Sequence, residues 1–164
     1  MSDTIIDRFY TAFQNKDWKT MQACYDDNAR FSDPAFVNLR GNEVKAMWHM
    51  LIQSSQDLRI QYKDVNINDN AGSCTWIADY NFSRTGRQVH NVIRARFKLK
   101  DGKIVEHQDS FDLWRWTRMA LGWPGWLMGW SPFLQNRVRS MALRNLRKFI
   151  QNHPEYLKNP LSKC

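Results

Sequence analysis

Cysteine is scarce in this chain, and the little there is excludes two kinds of architecture. Cys24, Cys74 and Cys164 are odd in number and widely spaced among 164 residues, with no Cys-x-x-Cys and no Cys/His cluster. Neither a disulfide framework nor a zinc site follows from such spacing, and a reducing, cytoplasmic setting fits it. Long apolar runs are missing too. The longest charge-free stretch, residues 119–136, is interrupted by Gly122, Pro124, Gly125, Gly129 and Pro132, which suits no spanning helix. The N-terminal MSDTIIDRFYTAFQNKD carries acids where an export signal has a basic segment, and it lacks that signal's apolar centre. Nor is there a Ser-His-Asp spacing, a glycine loop to cradle phosphate or a cluster of metal ligands, so no cofactor and no metal are expected. Without internal repeats or a low-complexity linker, 164 residues suit one domain with its own core.

Acids are nearly absent from one end. Residues 114–164 hold nine Lys/Arg against the single acid Glu155, a balance of +8 that equals the net charge of the whole chain. Five of the eight tryptophans, Trp114, Trp116, Trp123, Trp126 and Trp130, fall in the same segment. The implied organisation is a neutral domain followed by a basic, tryptophan-rich extension. Charge and aromatics also mark nucleic-acid surfaces, but no RNP-like string or zinc finger accompanies them here, so nucleic acid is not the expected partner.

Thr4 or Asp3 can cap a first helix in which Ile5, Ile6, Phe9, Tyr10 and Phe13 recur at helical spacing. Asp17 opens a shorter helix with Trp18, Met21 and Tyr25 on one face, and Asp26-Asp27-Asn28 breaks it before a short strand at 29–31. A third helix follows Gly41-Asn42, with Val44, Met47, Trp48, Leu51 and Ile52 on one side. The period then changes to two. Leu58, Ile60 and Tyr62 alternate, the phase slips as at a bulge, and Val65 and Ile67 resume. Cys74, Trp76, Ala78, Tyr80 and Phe82 share a face of the next strand, and Val89, Asn91, Ile93, Ala95, Phe97 and Leu99 a face of the one after. Asp101-Gly102 turns the chain into a last strand at 104–113. Helices followed by a four-stranded antiparallel meander predict an α+β domain, its helices on one face of a curved sheet that encloses a cone-shaped cavity.

One short stretch, R-F-S-D-P-A-F at 30–36, sets a carboxylate before a proline at the end of an apolar run. Asp33 reads either as an acid/base group at the mouth of an apolar cavity or as an ordinary turn residue bonding its own backbone. In the last strand His107, Asp109 and Phe111 point the same way at strand spacing. A carboxylate beside an imidazole on an apolar wall can share a proton, or it can be a satisfied buried pair that orders the sheet.

The strings F-Y-T-A-F-Q-N-K-D-W, Y-D-D-N-A-R-F-S-D-P and D-G-K-I-V-E-H-Q-D-S-F, in that order of elements, resemble the SnoaL-like branch of the nuclear transport factor 2-like superfamily. The resemblance covers residues 3–113 and leaves 114–164 as an extension packed on or capping the same domain. It implies the cone-shaped fold, which carries ketosteroid isomerases, scytalone dehydratase, limonene epoxide hydrolase and plain binding modules alike. Asp33-Pro34 matches the isomerases' general base, whereas their two oxyanion donors fall on Phe9 and Ala95. Each missing donor is typically worth ~2.7–4 kcal/mol in the transition state, which argues against steroid isomerisation. Asp109 matches the acid/base aspartate of SnoaL-like polyketide cyclases. The epoxide hydrolases' Arg-x-Asp is replaced by Arg94-Ala95-Arg96.

The expected catalytic set is therefore Asp33, His107 and Asp109, with Tyr10, Phe13, Trp48, Tyr80, Asn91, Phe97 and Phe111 as ligand-binding residues. Two functions fit: a cofactor-independent cyclase, isomerase or dehydratase acting on a hydrophobic molecule, and a non-catalytic binding protein for a hydrophobic small molecule or lipid. The resemblance also implies a homodimer through the outer sheet face, which carries Val92 and Arg94. In the extension, Leu134, Val138, Met141, Ala142, Leu146, Phe149 and Ile150 form one stripe of a helix over 134–150, with Arg137, Arg144, Arg147 and Lys148 opposite. Trp123, Trp126 and Trp130 before it either close the wide end of the cone or face a membrane surface.

Overall fold

A computed structural model describes residues 4–157; Asp3, Lys158, Lys163 and Cys164 lie outside the described residues. The chain begins with α1 (Ile5–Gln14), where Thr4 Oγ1 accepts from the Asp7 amide at 3.1 Å and Asp7 accepts from the Thr4 amide at 3.2 Å. That reciprocal cap fixes where the helix starts, and its buried face of Ile6, Phe9, Tyr10 and Phe13 fixes which way it packs. Helix α2 (Trp18–Ala23) is capped by Asp17.

Strand β1 (Tyr25–Ser32) is longer than the sequence suggests. Tyr25 starts this strand instead of ending α2, and Asp26-Asp27-Asn28 belong to it. Pairing with a strand far away in sequence holds the two ends, Tyr25 opposite Ile104 and Phe31 opposite His107, and the local preference of these residues for a break survives as a register shift between Tyr25 and Arg30. After β2 (Leu39–Arg40) and α3 (Asn42–Ser54) come β3 (Arg59–Asn68), β4 (Ala71–Asn81), β5 (Gln88–Lys100) and β6 (Lys103–Ser110). The six strands form one sheet in the order β2-β1-β6-β5-β4-β3. The β3–β6 meander is antiparallel, with the register slip in β3 between Lys63 and Asn66. The whole sheet, however, is mixed, because β1 runs parallel to β6.

Burial alternates without a break along β5, so Val89, Asn91, Ile93, Ala95, Phe97 and Leu99 face the helices while His90, Val92, Arg94, Arg96 and Lys98 face outward. The helices of the N-terminal half and this inner face enclose an aromatic core around Phe9, Phe13, Trp48 and Trp76.

Strand β6 stops at Ser110 rather than running to Leu113. Asp112 accepts from the Arg115 amide at 3.0 Å and opens α4 (Leu113–Leu121), a helix the alternating reading of this region does not anticipate. Loop residues between β4 and β5 hold it, Thr85 Oγ1 donating to Ala120 O at 2.6 Å and Arg87 Nε to Met119 O at 2.9 Å. A short α5 (Trp123–Met128) and a long α6 (Pro132–Gln151) follow, then a single 3-10 turn at Pro154–Tyr156. The α6 stripe packs on the domain, with Leu146 2% exposed and Arg137, Arg144, Arg147 and Lys148 at the surface. Tyr156 ties the end of the chain to the N-terminal helices: its hydroxyl accepts from Gln22 Nε2 at 2.8 Å and meets His49 Nδ1 at 2.8 Å. Leu146 and Tyr156 belong to the same core cluster as Phe9 and Trp48.

Candidate functional site

Between the inner sheet face, α3 and α6 lies a cavity of about 510 Å³. Its walls are mainly apolar: Phe13, Phe31 and Trp48 from the first half of the chain, Phe111 and Trp116 after β6, and Val138, Met141, Ala142 and Phe149 from α6. Asp33, Tyr80, Asn91 and Asp109 border it, and so do Ser54, Ser55, Ser83, Asn145, Lys148 and Asn152. A mostly apolar hollow with a few convergent polar groups is the form small-molecule sites take.

Asp109 is 4% exposed, and β6 aims it inward because it shares parity with His107. Its Oδ1 accepts from Trp76 Nε1 at 3.3 Å and lies 2.9 Å from His107 Nε2. Behind it, His107 is fully buried and its Nδ1 lies 2.5 Å from the Tyr25 hydroxyl, which accepts from Trp48 Nε1 at 3.0 Å. The donors set the direction of this relay. Indole N–H of Trp48 can only donate, so the Tyr25 oxygen receives that proton and turns its own O–H to His107 Nδ1. The imidazole is then the Nε2–H tautomer, donating to Asp109, an assignment that rests on satisfying every donor. Oδ1 of Asp109 is thus engaged twice. Oδ2 takes no hydrogen bond among the described residues, and it is the oxygen left for a ligand.

Asp33 closes its turn and also stands at the cavity. Its Oδ1 accepts from the Ala35 amide at 2.7 Å and the Phe36 amide at 2.5 Å, closing the turn around Pro34, and the carboxylate also borders the cavity. Burial, with a smaller push from the charge of Asp109, raises its pKa from the ordinary 3.8 to about 7, against the pull of the two backbone amides. The turn is gripped from α6: Arg139 Nε donates to Pro34 O at 2.9 Å.

Asn91, 9% exposed and opposite Ala78, makes no side-chain hydrogen bond among the described residues, so its amide is free for a polar ligand group. Tyr80 accepts from Trp116 Nε1 at 2.8 Å and keeps its own proton to donate; burial raises its pKa, with Asp33 adding to the shift.

The cavity thus brings together Asp33, Asp109, Asn91, Tyr80, Phe13, Trp48 and Phe111. His107 stands one layer behind. Tyr10 and Phe97 do not line it: Tyr10 is fully buried and stacks on Tyr62 at 5.3 Å, and Phe97 packs against His107 at 4.3 Å in the closed part of the cone. Trp76, which the expected set does not include, lines the cavity and donates to Asp109, and its place on the same face of β4 as Tyr80 is readable from alternation. The tryptophans of α5 do not close the cone. Trp123, Trp126 and Trp130 are 73%, 60% and 64% exposed and none lines the cavity, which takes wall from Trp116 and the α6 stripe instead.

One group of potential metal ligands forms away from the spacing rules, with ligand atoms of His49, His153 and Glu155 within 4.8 Å of one another. Both nitrogens of His49 are already engaged, by Tyr156 and by Gln53 Nε2 at 2.8 Å, and its ring stacks on Trp18 at 3.8 Å. These contacts make the cluster a tie between α3 and the end of α6.

The chain belongs to the SnoaL-like domain family, whose model matches residues 6–107. Among curated proteins nothing matches. Solved structures share the fold at low identity. A candidate polyketide cyclase from Xanthomonas campestris pv. campestris is 19% identical, with 70% of this chain and 93% of that one covered and a TM-score of 0.59. An LEH-like epoxide hydrolase from M. tuberculosis is also 19% identical, covering 75% and 90% with a TM-score of 0.58. An NTF2-like protein of unknown function from Burkholderia pseudomallei K96243 is 14% identical, covering 70% and 93% with a TM-score of 0.61. These likenesses show the fold. None of them carries a reaction over to this chain.

Proposed function

We propose that the cavity binds a hydrophobic, enolisable or ring-like small molecule and moves a proton on it without a cofactor, in the manner of a cyclase, isomerase or dehydratase. The observation that carries this reading is Asp109, with one oxygen fixed by His107 and Trp76 and the other left at the wall of an apolar cavity that Asp33 shares. Two carboxylates in unlike surroundings can divide the work. The half-buried, turn-held Asp33 holds a proton near neutral pH, and Asp109, fed by N–H donors, is the acceptor. Fold neighbours named as a cyclase and an epoxide hydrolase support a small-molecule site of this kind.

Proton exchange tests it. Hydrophobic aryl ketones and β-diketones incubated with the protein in D2O should gain deuterium at the α-carbon by NMR, and Asp109→Asn should suppress the gain. One observation favours a second reading, a non-catalytic binding protein for a hydrophobic small molecule or lipid: Phe9 and Ala95, at 0% and 1% exposure, offer no donor for an enolate oxygen. Saturable binding without exchange across the panel would decide for it. The same reading takes the protein as a cytoplasmic homodimer through the outer sheet face. Val92, 40% exposed on that face, is an apolar side chain such a dimer would cover.

A further inference from the structure

Six large apolar side chains lie open within eleven residues: Trp123, Trp126, Leu127, Met128, Trp130 and Phe133, each 47–73% exposed. Scattered exposed hydrophobics need no explanation, but a contiguous patch of this kind marks a contact site. The exposure is built into the backbone. Helix α5 lies on α4 through Gly125 and Gly129, one turn apart and both buried. A Cβ on Gly125 would stand 2.0 Å from Thr117 O, and one on Gly129 2.0 Å from Thr117 Oγ1. With its glycine face pressed to α4, the helix can only turn its aromatic face out. The polar ends are tied down as well, Trp130 Nε1 donating to Leu127 O at 2.9 Å and Thr117 Oγ1 to Trp114 O at 2.8 Å.

Charge says what this platform meets. From 113 to 151 the chain has seven Lys/Arg and no acid. Two of these cations border the patch, Arg118 lying 4.7 Å from the Trp114 ring and Arg137 5.9 Å from the Phe133 ring. A second copy of the chain docked here by two-fold symmetry would set these cations against themselves, with no acid on the three helices to offset them. An anionic bilayer surface matches both properties, since tryptophan rings settle at headgroup level and basic side chains meet lipid phosphates. No helix among the described residues is long and apolar enough to cross a membrane, so the contact is peripheral.

We propose that the last turn of α4, α5 and the first two turns of α6 form a peripheral docking surface for an anionic bilayer, Trp123, Trp126 and Trp130 entering the headgroup layer and Arg118 and Arg137 pairing with phosphates. The inference is independent of what the cavity binds.

Flotation of the full chain with vesicles tests it, using phosphatidylcholine alone or with about one third phosphatidylglycerol. The expected result is co-flotation with the anionic vesicles only, reduced at least about ten-fold by 0.5 M salt and by W123S/W126S/W130S. These side chains are exposed, so the triple variant should keep its fold by circular dichroism. If it does not, R137E/R144E, which leaves every tryptophan in place, must lose flotation instead. Absent flotation of the wild type, equal flotation with neutral vesicles, or undiminished flotation of the folded variants would overturn the proposal. So would a concentration-dependent dimer in sedimentation velocity that the triple variant abolishes while the wild type fails to float.

Discussion

Removing the titratable proton of Asp33 should change how stability depends on pH, by an amount the structure sets. Folding raises this carboxyl from an ordinary 3.8 to about 7 because burial and the charge of Asp109 disfavour its ionised form. The folded protein therefore holds a proton that the unfolded chain releases. Stability from this group is complete below about pH 4, falls as pH rises towards 7, and is level above that. At ~1.4 kcal/mol per pH unit the full effect would be ~4 kcal/mol. The carboxylate is half-buried beside a cavity that water can enter, so about half of that, ~2 kcal/mol, is the expected size. Asp33→Asn isolates it, because an asparagine oxygen can still accept from the Ala35 and Phe36 amides and preserve the turn. Urea unfolding of both proteins at pH 4 and pH 8 should show the wild type losing ~2 kcal/mol more than the variant across that range. Every other titrating group is common to both and cancels. Parallel pH dependences would refute the reasoning, showing that the backbone amides hold Asp33 ionised.

Asp109→Asn keeps shape and one acceptor oxygen but loses the acid/base group, so α-deuterium exchange on a turned-over ketone should fall at least about ten-fold; an unchanged rate and pH profile would remove Asp109 from the chemistry. Leu146→Ala opens a hole under α6 at a side chain 2% exposed, and should cost ~2–5 kcal/mol in chemical denaturation, whereas a cost below ~1 kcal/mol would mean that α6 does not share the domain's core. Val92→Glu should convert a dimer through the outer sheet face to ~20 kDa monomers by light scattering at micromolar concentration, and a wild type already monomeric there would reject that interface.

The parts of the fold visible in the sequence are those where one face is buried and the other wet. Strand β5 shows it best: its period of two states which residues face inward, and Asn91 comes with them. By the same parity His107 and Asp109 share a face. What alternation cannot supply is the partner. That β1 reaches back to Tyr25 depends on Ile104, and that His107 has a fixed tautomer depends on Tyr25, 82 residues away. Nor does facing inward mean facing the ligand. Phe97 is inward but lies in the closed part of the cone, where His107 and Tyr10 fill the space. Helix α4 was hidden because Leu113, Trp114 and Trp116 read as well in a strand as in a helix. The deciding residue is the cap Asp112, which gains its meaning only once β6 has ended. The α5 tryptophans read as either lid or surface, and the choice was made by two glycines against Thr117, a contact that no periodicity records.

Part of the candidate site's selectivity lies outside the residues that define the family. The SnoaL-like match ends at residue 107, on the strand that carries Asp109 and before the turn into α4. Beyond it the chain adds Phe111, Leu113 and Trp116 to the lining, and from α6 Val138, Met141, Ala142 and Phe149. Trp116 fixes the Tyr80 hydroxyl, and Arg139 holds the turn that presents Asp33. The added helices are therefore wall and scaffold for polar groups that the sheet and its β1 turn supply, Asp109 among them although it lies two residues past the match. Their chemistry narrows what can fit: apart from Lys148 and two asparagines, Asn145 and Asn152, every α6 and post-α6 residue lining the cavity is apolar. A ligand group against this wall is uncharged unless it reaches Lys148, the single charged side chain that the wall offers, since a charge against Val138 and Phe149 alone would be desolvated with no partner.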